Sequence, residues 1–166
     1  MQAAPRVASP VTANQETHMP RTAIDVMTPD PAFCTPETTV EDVAKLMVLH
    51  ECGEIPVVES HASLEPIGVV TDRDIVCRLV ANGKNPLAYT VEHCMTQPVV
   101  TVRTDMALEE VVNTMERHQI RRVPVVDAKG ACVGIIAQAD VAWSEDEREV
   151  GKLVREVSRD MGTPAR

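Results

Sequence analysis

Residues 67–75 read IGVVTDRDI, and residues 132–141 read CVGIIAQADV. In both, a glycine and two β-branched residues lead to an aspartate six places beyond the glycine (74 − 68 and 140 − 134). β-Branched runs favour strands, and Thr or Asp at a junction favours a helix start, so each stretch predicts a strand running straight into a helix. In the first, Thr71 takes the capping position and Asp74 follows inside the first helical turn. As a simple cap such a threonine contributes about 1 kcal/mol. Its hydroxyl and the free amides of that turn are also suited to a phosphate or ribose oxygen. The Asp74 carboxylate can accept hydrogen bonds from both hydroxyls of a ribose.

Outward from these stretches the sequence repeats itself. Thr22, Met27, Thr28, Val43, Met47 and His50 recur as Thr90, Met95, Thr96, Val111, Met115 and His118, each at a shift of 68, as in 95 − 27. PVV at 56–58 recurs at 124–126. Two extra residues in the first copy then change the shift to 66, pairing Gly68 with Gly134 and Asp74 with Asp140. Each copy predicts a short helical lead ending at Met-Thr, an extended piece (PAFCT or PVVTV), a helix, two β-rich runs and a second helix. Capping residues and early acids in TPETTVED and RTDMALEE suit a helix start, and Val40, Val43 and Met47, like Leu108, Val111 and Met115, share one face. The expected fold is α/β (α+β): two β-α-β-β-α units of about 60 to 70 residues, each near the lower limit for a core of its own, packed on one another. The first copy spans 21–82 and the second 83–143. Residues 1–20 lack apolar periodicity and are expected to be disordered. Residues 144–166 carry an amphipathic helix, with Val150, Leu153, Val154 and Val157 on one stripe, followed by a tail.

A net charge of −9 argues against nucleic acid, and one Phe, one Tyr and one Trp are too few for a stacking platform. No apolar run is long enough to span a bilayer and no secretory pattern opens the chain, so a cytoplasmic protein without a membrane partner is expected. The five cysteines show no CxxC spacing and read mostly as small buried hydrophobes. No phosphate loop, nucleophile elbow or zinc-protease helix is present, and no catalytic residue or enzymatic activity is expected.

The segments VMTPDPAFCTPETTVEDVAKLM, EIPVV, IGVVTDRDI, VEHCMTQPVVTV, MERHQIRRVPVVD and CVGIIAQADV, covering about residues 21 to 143, resemble the cystathionine-β-synthase (CBS) domain in two copies. The resemblance implies pseudo-two-fold stacking of the repeats and two clefts between them that take adenosine-containing ligands: AMP, ADP, ATP or S-adenosylmethionine. It also implies contacts from a Gly-x-x-Thr/Ser-x-x-Asp motif of one repeat and from residues just before the PVV strand of the other. On that basis Thr71 and Asp74 share a cleft with Ile120, Arg121 and Arg122, where a ribose reader meets positive charge for phosphates. The other cleft combines Asp140 with Glu54, and with Ala137 in place of the threonine it is expected to be empty or to accept an uncharged or cationic adenosine. No cofactor is required. A homodimer is expected, with an unidentified protein partner reading the ligand-bound shape.

Other groupings have plainer readings. Asp72 and Asp74 have a spacing that can hold magnesium, yet acids at a helix start usually complement its dipole. Arg73, in the same turn, either assists the ligand or faces water. His93-Cys94 and His50-Glu51-Cys52 lack zinc-site spacing, and no metal site is expected. The rival to a ligand sensor is a ligand-free scaffold that keeps the fold only for dimerisation or docking.

Overall fold

The computed structural model describes residues 21–144 and 147–158. The expected disordered tail, residues 1–20, lies outside the described residues, as do 159–166. The order is α1 (Ala23–Val26), β1 (Thr28–Pro29), α2 (Val40–Leu49), β2 (Glu54–Val58), β3 (Pro66–Thr71), α3 (Asp72–Arg78), β4 (Val102–Arg103), α4 (Leu108–His118), β5 (Arg122–Val126), β6 (Cys132–Ala137), α5 (Gln138–Ser144) and α6 (Glu147–Val157). This is an α+β fold whose main sheet, β1-β6-β5-β4, mixes antiparallel and parallel pairs. The second sheet is the β2-β3 hairpin, edged by single bridges at Cys34 and Thr96.

Those edges repeat one another. Cys34 pairs parallel with Val57 as Val102 does with Val125, both at a shift of 68. More telling is the exchange of lead segments between repeats. Thr28 of the first copy pairs with Ile135 of the second, and Thr96 of the second pairs with Val69 of the first. Backbone hydrogen bonds cross in the same reciprocal way. Ala23 N–H donates to the Met106 carbonyl and Val91 N–H to that of Thr38; Leu108 N–H donates to Arg21 and Val40 N–H to Tyr89. Each lead therefore completes the other repeat, the reciprocity that a two-fold relation demands. Two cores result. Ala23 lies in that of the second repeat, with Val111, Met115, Val123 and Ile136; Val91 and Cys94 lie in that of the first, with Val43, Ile55, Val57 and Val70.

The exchange explains a departure at α4. RTDMALEE contains capping candidates, but the residue before α4 is Ala107, which makes no side-chain cap. The crossing Arg21 carbonyl accepts the Leu108 amide at 2.9 Å, so a first-turn donor is satisfied by main chain. At α2, Thr39 caps as expected: its Oγ1 accepts from Asp42 N–H at 3.1 Å, and the crossing Tyr89 carbonyl accepts from Val40.

α6 makes the repeats unequal. Leu153 and Val157 are buried against α4 and α5, whereas Val154 is exposed; the Val150 side chain lies outside the described residues. The matching face of the first repeat is open. There Val48 is 80% exposed and Leu49 74%, beside a hollow of about 520 Å³ against Ile75 and Leu87.

The two motif glycines mark where the leads cross. A Cβ on Gly68 stands 2.9 Å from the Thr96 carbonyl oxygen, and one on Gly134 overlaps Met27 Sδ and lies 2.9 Å from its Cγ. Gly68→Ala is expected to cost about 1–3 kcal/mol, because a backbone oxygen has to move. Gly134→Ala meets the root of the Met27 side chain, its Cβ at 3.1 Å as well as its Cγ, and is expected to cost a similar amount. Urea unfolding checks both variants, and a loss below about 0.5 kcal/mol in either contradicts the close crossing.

Candidate functional site

At the start of α3, Thr71 and Asp74 form a reciprocal capping box. Thr71 donates to Asp74 Oδ2 from its backbone N–H at 3.0 Å and its hydroxyl at 2.7 Å, and Asp74 N–H returns a bond to Thr71 Oγ1 at 3.0 Å. The other oxygen, Oδ1, faces Arg78 Nη2 at 3.2 Å. Arg78 also donates to the Cys94 and Met95 carbonyls and to Thr96 Oγ1, fastening the crossing lead to α3. Asp74 is thus committed to a cap and a latch. At the shift of 66 the counterpart of Arg78 is Ser144, which has no guanidinium to offer. Asp140 shares the cap, accepting from Ala137 N–H at 2.7 Å.

Asp140 lines a cavity of about 300 Å³ between the repeats. One wall is the crossed lead, Thr28 to Ala32; a second is His50, Glu51, Cys52, Glu54 and Ile55; the third is Arg122, Ile135, Ala137 and Asp140. A neighbouring hollow of about 340 Å³, lined by Arg121, Arg122, Ala137 and Gln138, shares Arg122 and Ala137 with it. Arg121 is exposed and Arg122 half-buried, while Ile120 packs on the second core.

Of the expected groupings, Asp140 and Glu54 line this one cavity together, and Arg122 lines it with them rather than with Thr71 and Asp74. The hairpin register sets Arg122 opposite Ala137 and Glu54 opposite Thr71. Antiparallel pairing brings each of these residues beside its own repeat's helix start, and the cavity between the repeats brings Glu54 to Asp140 as well, with Arg122 on the same wall as Asp140. The walls from Thr28–Ala32 and His50–Cys52 were not anticipated. The Met-Thr repeat is the signal for the first, but only strand pairing shows that it crosses.

Glu54 holds the middle of the seam. Burial pushes its carboxyl up to about 7, Arg122 pulls it down, and Asp74 pushes it up again. Its Oε1 is buried without a hydrogen-bond partner. The cysteine readings divide. Burial raises the thiols of Cys34, to about 12, of Cys132, to about 11, and of Cys94, so these are packing groups. Cys94 faces the core while the His93 ring meets Thr90 Oγ1 at 2.9 Å, so the two diverge. Among the described residues no three of His, Cys, Asp and Glu are placed to hold a metal ion, and no helix is long and apolar enough to cross a membrane. Asp72 Oδ1 accepts from the Arg73 amide at 2.7 Å, and Arg73 is exposed.

A family model described as the CBS domain matches residues 23–81 and again 91–144. The chain is a CBS domain pair. It is 40% identical over 121 residues to the uncharacterized protein MK0525 of Methanopyrus kandleri, matching 73% of this chain but only 58% of that protein's length. It is 38% identical over 125 residues to the CBS domain-containing protein YhcV of Bacillus subtilis, 75% of this chain and 86% of that one. Among solved structures it is similar to Hypoxic Response Protein I with two coordinated zinc ions (31% identity, TM-score 0.68, 76% of this chain and 100% of that one). It is similar too to the CBS domain pair of protein MJ0100 in complex with 5'-methylthioadenosine and S-adenosyl-L-methionine (27%, 0.67, 76% and 96%).

Glu54, half-buried with its Oε1 shut off from water, makes the stability of this CBS pair depend on pH. The carboxyl ordinarily ionises near 4.5 and here near 7, so between those values the folded chain keeps a proton that the unfolded chain has lost. Stability from this group therefore falls as pH rises through that window. Glu54→Gln, which does not titrate, is expected to gain on the wild type between pH 5 and pH 8 in urea unfolding. A difference that does not change with pH contradicts the placement of Glu54.

Proposed function

We propose that this CBS pair is a regulatory, non-catalytic module that senses an adenosine-containing ligand in the cleft between its repeats. The cavity lined by both repeats and by the crossed lead carries this reading. Its volume of about 300 Å³ suits a small ligand. Asp140 accepts from the ribose hydroxyls, and Arg122, with Arg121 in the adjoining hollow, faces whatever extends beyond the sugar. The two adenosine compounds held by the MJ0100 pair support the class, which includes AMP, ADP, ATP and S-adenosylmethionine. Thr71 and Asp74, with Ile120, are candidates for a second site, where a ligand competes with Arg78 for Asp74 Oδ1.

A ligand here touches the joint rather than one repeat. It shifts the packing of the halves, or of two chains, by no more than its preference for one arrangement. A partner protein reads the result. The rival scaffold reading is favoured by the open apolar face of α2, where Val48 and Leu49 await a second copy of the chain.

Calorimetric titration with AMP, ADP, ATP and S-adenosylmethionine separates these readings. Asp140→Asn is expected to weaken binding about tenfold or more, the worth of one charge-assisted hydrogen bond. Asp74→Asn is expected to lower the Tm by loosening the Arg78 latch, with little change in affinity at this cavity. The reverse pattern moves the site to the Thr71 side, and no heat with any of the four compounds leaves the scaffold reading.

A further inference from the structure

Glu54 opens β2 with a buried Oε1 that no group hydrogen-bonds, and its side chain lines the cavity. A buried acceptor without a donor is costly to the folded state and rare unless something fills its place. The charged and titratable groups around it come from every neighbouring element. Arg122 stands on β5 and Asp74 on α3; across the cavity are Asp140 of α5 and Asp30 after β1, with His50, Glu51 and Cys52 between α2 and β2. The lining therefore sets four carboxyl groups, on Asp30, Glu51, Glu54 and Asp140, against one guanidinium. A polyphosphate placed deep in this cavity meets like charge; only past Arg122, in the hollow shared with Arg121, does positive charge prevail.

We propose that the cavity selects an adenosine ligand bearing a positive centre next to its sugar, a sulfonium or an ammonium, and that Glu54 is the residue that reads this charge. The inference rests on the adenosine reading above. An ammonium donates a hydrogen bond to Oε1, and a sulfonium, which has no donor hydrogen, sets a compensating positive charge beside it. Its charge also favours the ionised carboxylate, so a Glu54 that is protonated before binding loses its proton to solvent as the ligand enters. The carboxyl pushed up to about 7 by burial puts that release within reach of ordinary buffers.

The test compares S-adenosylmethionine with S-adenosylhomocysteine, which differs by one methyl group and the sulfonium charge, and with ATP, titrating the full chain at pH 6 and pH 8. S-Adenosylmethionine is expected to bind about tenfold tighter than the homocysteine compound at pH 8, with a smaller ratio at pH 6, as one ionising carboxyl requires. Near pH 7 its binding heat is expected to vary with the ionisation enthalpy of the buffer, reporting the released proton. Glu54→Gln is expected to abolish both the preference and the proton release. Equal affinity of the wild type for the two sulfur compounds, tighter binding of ATP, or a preference that survives Glu54→Gln overturns the proposal and leaves the adenosine reading standing. Binding by none of the three, nor by AMP or ADP, overturns both. The wild-type ratio at two pH values decides the matter even if the variant folds poorly.

Discussion

Each repeat lacks the backbone partners that finish its own sheet and first helix, and the lead segment of the other repeat supplies them. Four reciprocal amide-to-carbonyl bonds, at Ala23, Val91, Leu108 and Val40, fix the two leads across the molecule. The crossing is close enough that the chain needs glycine where it passes: Gly68 under Thr96 and Gly134 under Met27. Everything else in the structure follows from this constraint. Because the leads are exchanged, neither repeat can close its core alone, and residues 28–32 become a wall of the space between repeats rather than an outer edge.

The same exchange makes two nearly equal halves chemically unequal. In the first half, Arg78 reaches the crossing lead and draws Asp74 into a latch. In the second, serine stands where that arginine would be, and Asp140 borders the cavity. Glu54 and Arg122, one before each PVV strand, then set the potential of the seam. Burial costs the Glu54 carboxylate more than Arg122 returns, which is why its proton is held to about neutral pH. The proposed preference for a positive centre rests on this balance of charge.

Much of this was legible in the sequence. The 68- and 66-residue shifts gave the two repeats, and the spacing of Val40, Val43 and Met47 gave the buried face of α2, since helical periodicity is a local property. The capping roles of Thr71 and Thr39 were also local. What escaped was non-local. Thr28 pairs with Ile135 across more than a hundred residues, and nothing near either residue announces it. Without that pairing neither the place of Arg122 beside Asp140 nor the part of Arg78 in holding Asp74 is visible. The uncapped start of α4 was missed for the same reason, its partner being the carbonyl of Arg21.

Native-state hydrogen exchange tests the exchange of leads most directly, because protection reports the opening each amide requires. If the leads hold the repeats together, the amides of Ala23, Val40, Val91 and Leu108 exchange with one free energy, equal to that of the strand amides in both hairpins. Two distinct free energies, one per repeat, or crossing amides that open well below the strands, contradict the account.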